Sequence, residues 1–122
     1  MTCNYSIEVI PQQSQLFRRF PPWQYNRTTG NVIAEVFQDT NCSVDWDRYS
    51  TPQETLCRFK KDSDWGVIKI QAEYARSVEG QQVLHKPSHK HQAHSEIIGE
   101  KIMKIRDDLV AGSTIAIYPS LY

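Results

Sequence analysis

The sequence predicts a single α+β domain over residues 1–122, with a mainly antiparallel sheet of about five to seven short strands and two helices. Three observations carry this. Ile68, Ile70, Ala72 and Tyr74 alternate with Lys69, Gln71 and Glu73, the period of a strand with one dry face. Thr51, Pro52 and Glu54 combine a capping side chain, a proline suited to the first helical position and a returning glutamate, which marks a helix start. Ile102, Met103, Ile105, Leu109 and Val110 form one broad apolar face over residues 100–111, which marks a second helix.

Taken in order, residues 6–10 alternate like an edge strand until Pro11 breaks them. Residues 16–20 read as a strand, ended by Pro21 and Pro22, which have no N–H to continue a ladder. Trp23 and Tyr25 follow in an ordered loop, and residues 28–31 have turn chemistry. Residues 32–37 are apolar on both faces and read as a central strand, and residues 42–46 as the next. The helix opened by Thr51 runs to about Lys60 and buries Leu56 and Phe59. Residues 65–76 read as a strand; a helix over residues 72–78 is the competing reading, because Ala, Glu and Arg favour it. Glu79 and Gly80 turn the chain into a strand at residues 82–85, which forms a hairpin with the strand before it. Pro87 bars a helix from the segment that follows. Residues 94–98 are a strand. The last helix carries a Glu100–Lys104 pair, with Gly112 suited to the position just past its end, before a final strand over residues 113–118.

The bulk properties exclude several classes. A chain of 122 residues buries a real core without metals or disulfides. Lysine plus arginine equal aspartate plus glutamate, 14 each, which disfavours a nucleic-acid partner held by bulk charge. No run of about 18 apolar residues crosses a membrane, and the first residues lack a basic start before an apolar core. Cys3, Cys42 and Cys57 are odd in number and lack the spacing of a zinc knuckle; they read as reduced thiols in a cytoplasmic protein. The glycines are scattered, so there is no glycine-rich phosphate loop.

Chemistry concentrates in residues 85–96. All four histidines, His85, His89, His91 and His94, lie there. Neutral imidazoles bind transition metals, and His89, His91 and His94 form one candidate ligand set. The segment also reads as a solvated Lys- and His-rich loop. His94 stands apart, because it opens a strand where position is fixed, with Glu96 facing the same side. A dyad between His94 and its neighbour Ser95 is excluded, since adjacent strand residues face opposite ways; Cys42 or Cys57 is the alternative nucleophile, against burial as an inert thiol. Between Phe17 and Phe20, Arg18 and Arg19 point to opposite faces, so one points inward and needs an anion. Glu35 or Asp45 would supply it internally; a bound carboxylate or phosphate is the functional reading. Asp45 and Asp47 otherwise read as strand-edge solvation. Trp23 and Tyr25 are candidates for ligand contact, through ring faces placed in a loop. The order arginine (Arg18 or Arg19), serine (Ser43 or Ser50), glutamate (Glu96) resembles that of ADP-ribosyltransferases, on three isolated residues without the surrounding motifs, and carries no function across.

The leading expectation is a small soluble cytoplasmic protein without enzymatic activity, a binding or accessory module held to a protein partner or to copies of itself. The alternative is an enzyme or small-ligand-binding protein with His94, Arg18 and Glu96 as its working residues, Arg19, Trp23 and Tyr25 as binding residues, and an anionic small molecule as ligand. The third is transition-metal binding through His89, His91 and His94; no other cofactor is expected. Geometry discriminates: His94 sharing one concave pocket with an inward arginine favours the second.

Overall fold

The structure, a computed structural model, describes residues 5–58 and 64–120. Its reference strand is β1 (Gln15–Phe20), whose alternation sends Leu16 and Phe20 to one face and Phe17 to the other. The chain then makes a 3-10 turn at Pro22–Gln24 and a two-stranded ribbon of β2 (Tyr25–Asn26) and β3 (Asn31–Val32). After β4 (Asn41–Trp46) come α1 (Pro52–Cys57), β5 (Gly66–Gln71), α2 (Ala72–Ser77), β6 (Gln82–His85), β7 (His94–Ile98), α3 (Met103–Ala111) and β8 (Ser113–Ile117). Six strands form one antiparallel sheet in the order β6-β7-β4-β1-β5-β8, so the α+β class holds.

The two faces of this sheet are covered unequally. On one face Leu16, Phe20, Cys42, Val44, Trp46, Ile68, Ile70 and Ile97 pack against Ala72 and Ala75 of α2 and Ile105 and Leu109 of α3. On the other, only Phe17, Leu56 and Val67 are buried together, with Trp65, Ala116 and Ile117 beside them. The single short helix α1 packs there, over β1, β5 and β8. Among the described residues no helix lies over the half of that face made by β4 and β7, and its upward side chains are polar: Ser43 and Asp45 from β4, His94 and Glu96 from β7.

The start of α1 carries the N-cap the sequence predicts: Thr51 Oγ1 accepts from the Glu54 N–H at 3.1 Å, with Pro52 in the first turn. Phe59, the other residue expected to be buried by this helix, lies outside the described residues.

Several expectations are corrected. Residues 32–37 are not a central strand: after β3 they close into a 3-10 turn, Ala34–Phe37. Val32, Val36 and Phe37 are the buried members, a one-sided spacing that a continuous apolar run conceals. Asn31 holds the bend, its amide donating to the carbonyls of Val110 and Ser113. Residues 65–76 are strand only to Gln71; the competing helix forms as α2, so the described residues hold three α-helices. The Ala72 and Glu73 N–H groups turn back to the Ser14 and Gln12 carbonyls. No hairpin joins β5 to β6, because α2 carries the chain to the far edge, where β6 pairs with β7.

The last helix starts at Met103, not Glu100. Lys101 is buried instead, its ammonium donating to the carbonyls of Thr40, Ile97 and Gly99, and burial pushes its pKa down. Glu100 lies before the helix, and Lys104 pairs with Asp108 at 3.5 Å. Ile102 and Met103 are exposed, not on the buried stripe. Gly112 does stand just past the helix end, with φ −93°. It is glycine for space, since a Cβ would come within 2.0 Å of the Tyr74 ring. That ring cannot easily yield, because its hydroxyl donates to the Asp108 carbonyl at 2.6 Å. Among the described residues no helix is long and apolar enough to cross a membrane.

Gly112→Ala is therefore expected to destabilise the fold by about 1–3 kcal/mol, the usual range for overpacking. In a double-mutant cycle by urea denaturation, Tyr74→Ala should remove most of that penalty. Additive costs would show that the Tyr74 contact does not govern the position.

Candidate functional site

The uncovered half of the sheet face carries a cleft of about 260 Å³, lined by Phe17, Arg18, Arg19, Ser43, Val44, Asp45, Thr55, Arg58, Trp65, His91 and His94. It lies at the small end of ligand pockets, which run to roughly 300–1,000 Å³, and suits a metabolite-sized molecule.

Its hub is Asp45. The residue is 5% exposed, yet its carboxylate is met from every side. Oδ2 accepts from the Thr55 hydroxyl at 2.8 Å and from Arg58 Nε at 3.1 Å; Oδ1 accepts from His91 Nε2 at 2.7 Å. Arg58 also donates to Ser50 Oγ, which meets Thr55 Oγ1 at 3.0 Å. The carboxylate therefore joins β4, the end of α1 and the histidine loop, reversing the expectation that Asp45 merely solvates a strand edge.

His91 arrives by way of the β6–β7 connection. Ser88 and His91 exchange both backbone hydrogen bonds at 3.1 Å, which narrows the loop and leaves His89 exposed at its tip. Burial lowers the His91 pKa below its ordinary value. The carboxylate opposes this, but Arg58 already pairs with it and adds its own repulsion. As Asp45 can only accept, Nε2 of His91 carries the hydrogen, whatever its charge.

His94 stands opposite Asp45 in the β4–β7 ladder, and its ring lies 5.3 Å from that of His91. Its Nδ1 meets the Lys86 carbonyl at 2.9 Å, so Nδ1 carries the hydrogen. In the neutral ring Nε2 is then a lone pair, and the Ser43 hydroxyl donates to it at 3.3 Å. Glu96 Oε2 lies 4.0 Å from the same nitrogen, and Glu96 is held by the Asn41 amide at 3.1 Å.

The expected site residues divide. His94, Arg18 and Arg19 do line one cleft, and Glu96 adjoins it through His94. Arg18 is the arginine of the core face, but its guanidinium donates to the Val36 and Ser43 carbonyls and pairs with Asp39 at 3.4 Å, not with Glu35 or Asp45. Arg19 lies over the Trp65 ring, 4.6 Å from its centroid. Trp23 and Tyr25 do not line the cleft; Trp23 meets Trp65 edge-on, and Tyr25 meets Tyr118. His89, His91 and His94 are not gathered into one ligand set: among the described residues no group of three or more His, Cys, Asp or Glu is placed to hold a metal ion. His91 Nε2 and His94 Nδ1 already have protein partners, and His89 points away at the loop tip.

His85, expected in the polar loop, is a core residue at 2% exposure. It stacks on Tyr49, accepts at Nδ1 from the Glu8 N–H and so donates from Nε2 to the Gln92 carbonyl. Neither candidate cysteine lines the cleft: Cys42 sits in the core, where burial raises its pKa, and Cys57 is exposed on α1. Thr55 and Arg58 were not among the sequence candidates. Their one local signal is that they follow the capping box on the same turns of chain.

The lowered His91 pKa sets a pH dependence. Between that value and about 6.5 the unfolded chain binds more protons than the folded one, so stability rises with pH. It is lost as pH falls from about 6.5 through the folded value. His91→Gln, which keeps a donor for Asp45, should flatten this part of the curve in urea midpoints measured across that range. Equal slopes in the two proteins would contradict the assignment. Comparison with known proteins gave no match: no family model fits the chain, and no curated protein or solved structure matches it.

Proposed function

We propose that the cleft over β4 and β7 is a site for a small anionic molecule bearing a carboxylate or phosphate, in a protein whose His94 imidazole moves protons on that ligand. This is the second of the sequence readings, enlarged from His94 to His94 with His91. The observation that carries it is convergence: Arg58, His91 and His94 line one small concavity with Arg19 and the Trp65 ring. Arg19 and Arg58 line it with His91 and His94, and the Asp45 carboxylate is already paired with Arg58, so the lining favours an anion. Trp65 and Phe17 supply an apolar wall for the rest of the ligand. A cytoplasmic setting accords with Cys42 and Cys57, which are both unpaired.

The accessory-module reading keeps one specific support. Ile7 is 78% and Val9 87% exposed, and both line a groove beside β6, the strand that ends the sheet. An open edge flanked by apolar side chains pairs with a second copy of the chain. Light scattering tests this: a monomer at all working concentrations removes it.

For the anion site, inorganic phosphate and acetate titrated into labelled protein should give saturable NMR shifts at Ser43, Thr55, His91 and His94 and at the Trp65 indole. His94→Gln should weaken the binding without unfolding the chain. Shifts that never saturate, or that fall elsewhere on the surface, would defeat the reading.

A further inference from the structure

The geometry points to Ser43 as a nucleophile activated by His94, making the cleft an acyl-transfer site for small esters that carry an anionic group. This rests on the anion-site reading for its substrate class, and on an independent set of contacts for its chemistry.

A serine hydroxyl becomes a nucleophile when a base stands within hydrogen-bond reach and a third group orients that base. All three parts are present. Ser43 is exposed on β4 and lines the cleft. Its hydroxyl lies 3.3 Å from His94 Nε2. The Lys86 carbonyl, 2.9 Å from Nδ1, fixes the tautomer that leaves Nε2 basic. Glu96, 4.0 Å from Nε2, stabilises the imidazolium once it forms. The Ser43 backbone is itself held, its carbonyl accepting from Arg18 Nη1 at 2.7 Å. Antiparallel register creates the pair: Ser43 faces Glu96 and Asp45 faces His94, so Ser43 and His94 are diagonal neighbours on one face.

The chemistry balances within these groups. Ser43 Oγ bonds to the acyl carbon as its proton passes to His94 Nε2. The carbon–oxygen bond to the leaving alcohol breaks, and the alkoxide takes that proton from Nε2. Water then attacks the acyl-serine, giving a proton to Nε2, which returns it to Ser43 Oγ as the carboxylic acid leaves. Arg19 and Arg58 line the same cleft, so negative charge developing on the acyl oxygen forms in a cationic surround. The cleft volume of about 260 Å³ limits the acyl ester to a small one.

The test uses p-nitrophenyl acetate and an analogue ester carrying a carboxylate on its acyl chain. A burst of one p-nitrophenolate per chain is expected, with the acyl mass on the peptide that contains Ser43 and faster reaction for the carboxylate-bearing ester. Ser43→Ala, an exposed substitution with circular dichroism as its folding control, should abolish the burst. His94→Gln should slow acylation by about 10²–10⁴-fold, the usual worth of a general base. No burst, or acyl groups on lysine or histidine alone, overturns the proposal. Phosphate titration of Ser43→Ala separates the two claims. Saturable shifts without acylation of native protein leave the anion site standing and remove the nucleophile. Acylation of Ser43 without phosphate binding, and without preference for the carboxylate ester, removes the anionic substrate class.

Discussion

The site depends on one buried charge. An ionised carboxylate taken out of water costs several kcal/mol unless it is paired and hydrogen-bonded. Asp45 has a hydroxyl, a guanidinium and an imidazole around it, from two separate stretches of chain. Each stretch would otherwise be loosely placed. The α1 helix has only six residues, too short to be stable alone. The β6–β7 connection closes on itself through one two-residue turn. Asp45 ties both to the centre of the sheet, and in doing so sets the walls of the cleft. Desolvation makes these contacts stiff, because leaving any one of the donors unpaired in such a place is expensive.

The position of that charge follows from how the sheet is covered. Apolar side chains on the α2–α3 face are continuous from β6 to β5. On the opposite face they stop at β1, and Ser43, Asp45, His94 and Glu96 take their place on β4 and β7. A helix laid over that half would have to bury these groups without partners. The polar pattern of two paired strands therefore keeps the face open, and the concavity is the gap between α1 and the folded-back histidine loop.

Local features of this architecture were legible in the sequence, and pairings were not. Thr51 and Glu54 marked the start of α1 because capping is decided within one turn. The strands at 16–20, 42–46, 82–85 and 94–98 were legible from alternation and breakers. Residues 32–37 misled because a run apolar on both sides fits a buried strand and a tight helical turn alike. In the site, His94 could be singled out as the histidine fixed by a strand. Asp45 could not, since what rescues it from solvent is His91, 46 positions away in sequence. Ser43 and His94 are 51 apart, joined only by a sheet order that no periodicity encodes. The reversal at His85 has the same origin: it is buried by Tyr49 and Trp46 and satisfied by Glu8, all distant in sequence.

The two cleft histidines are held as opposite tautomers, and this gives them different work. His91 presents its Nε2 hydrogen to a carboxylate already neutralised by Arg58, so its ring is bound into the wall and resists taking a second proton. His94 presents its Nδ1 hydrogen to a backbone carbonyl, an acceptor with no charge to tie up the ring. Its other nitrogen is aimed at the cleft side of β4, at Ser43. With centroids 5.3 Å apart, charge on one imidazole raises the energy of charge on the other. Keeping His91 neutral therefore removes a like charge from beside His94. The buried carboxylate, by way of Arg58 and His91, thus shapes the surroundings of a histidine it does not touch.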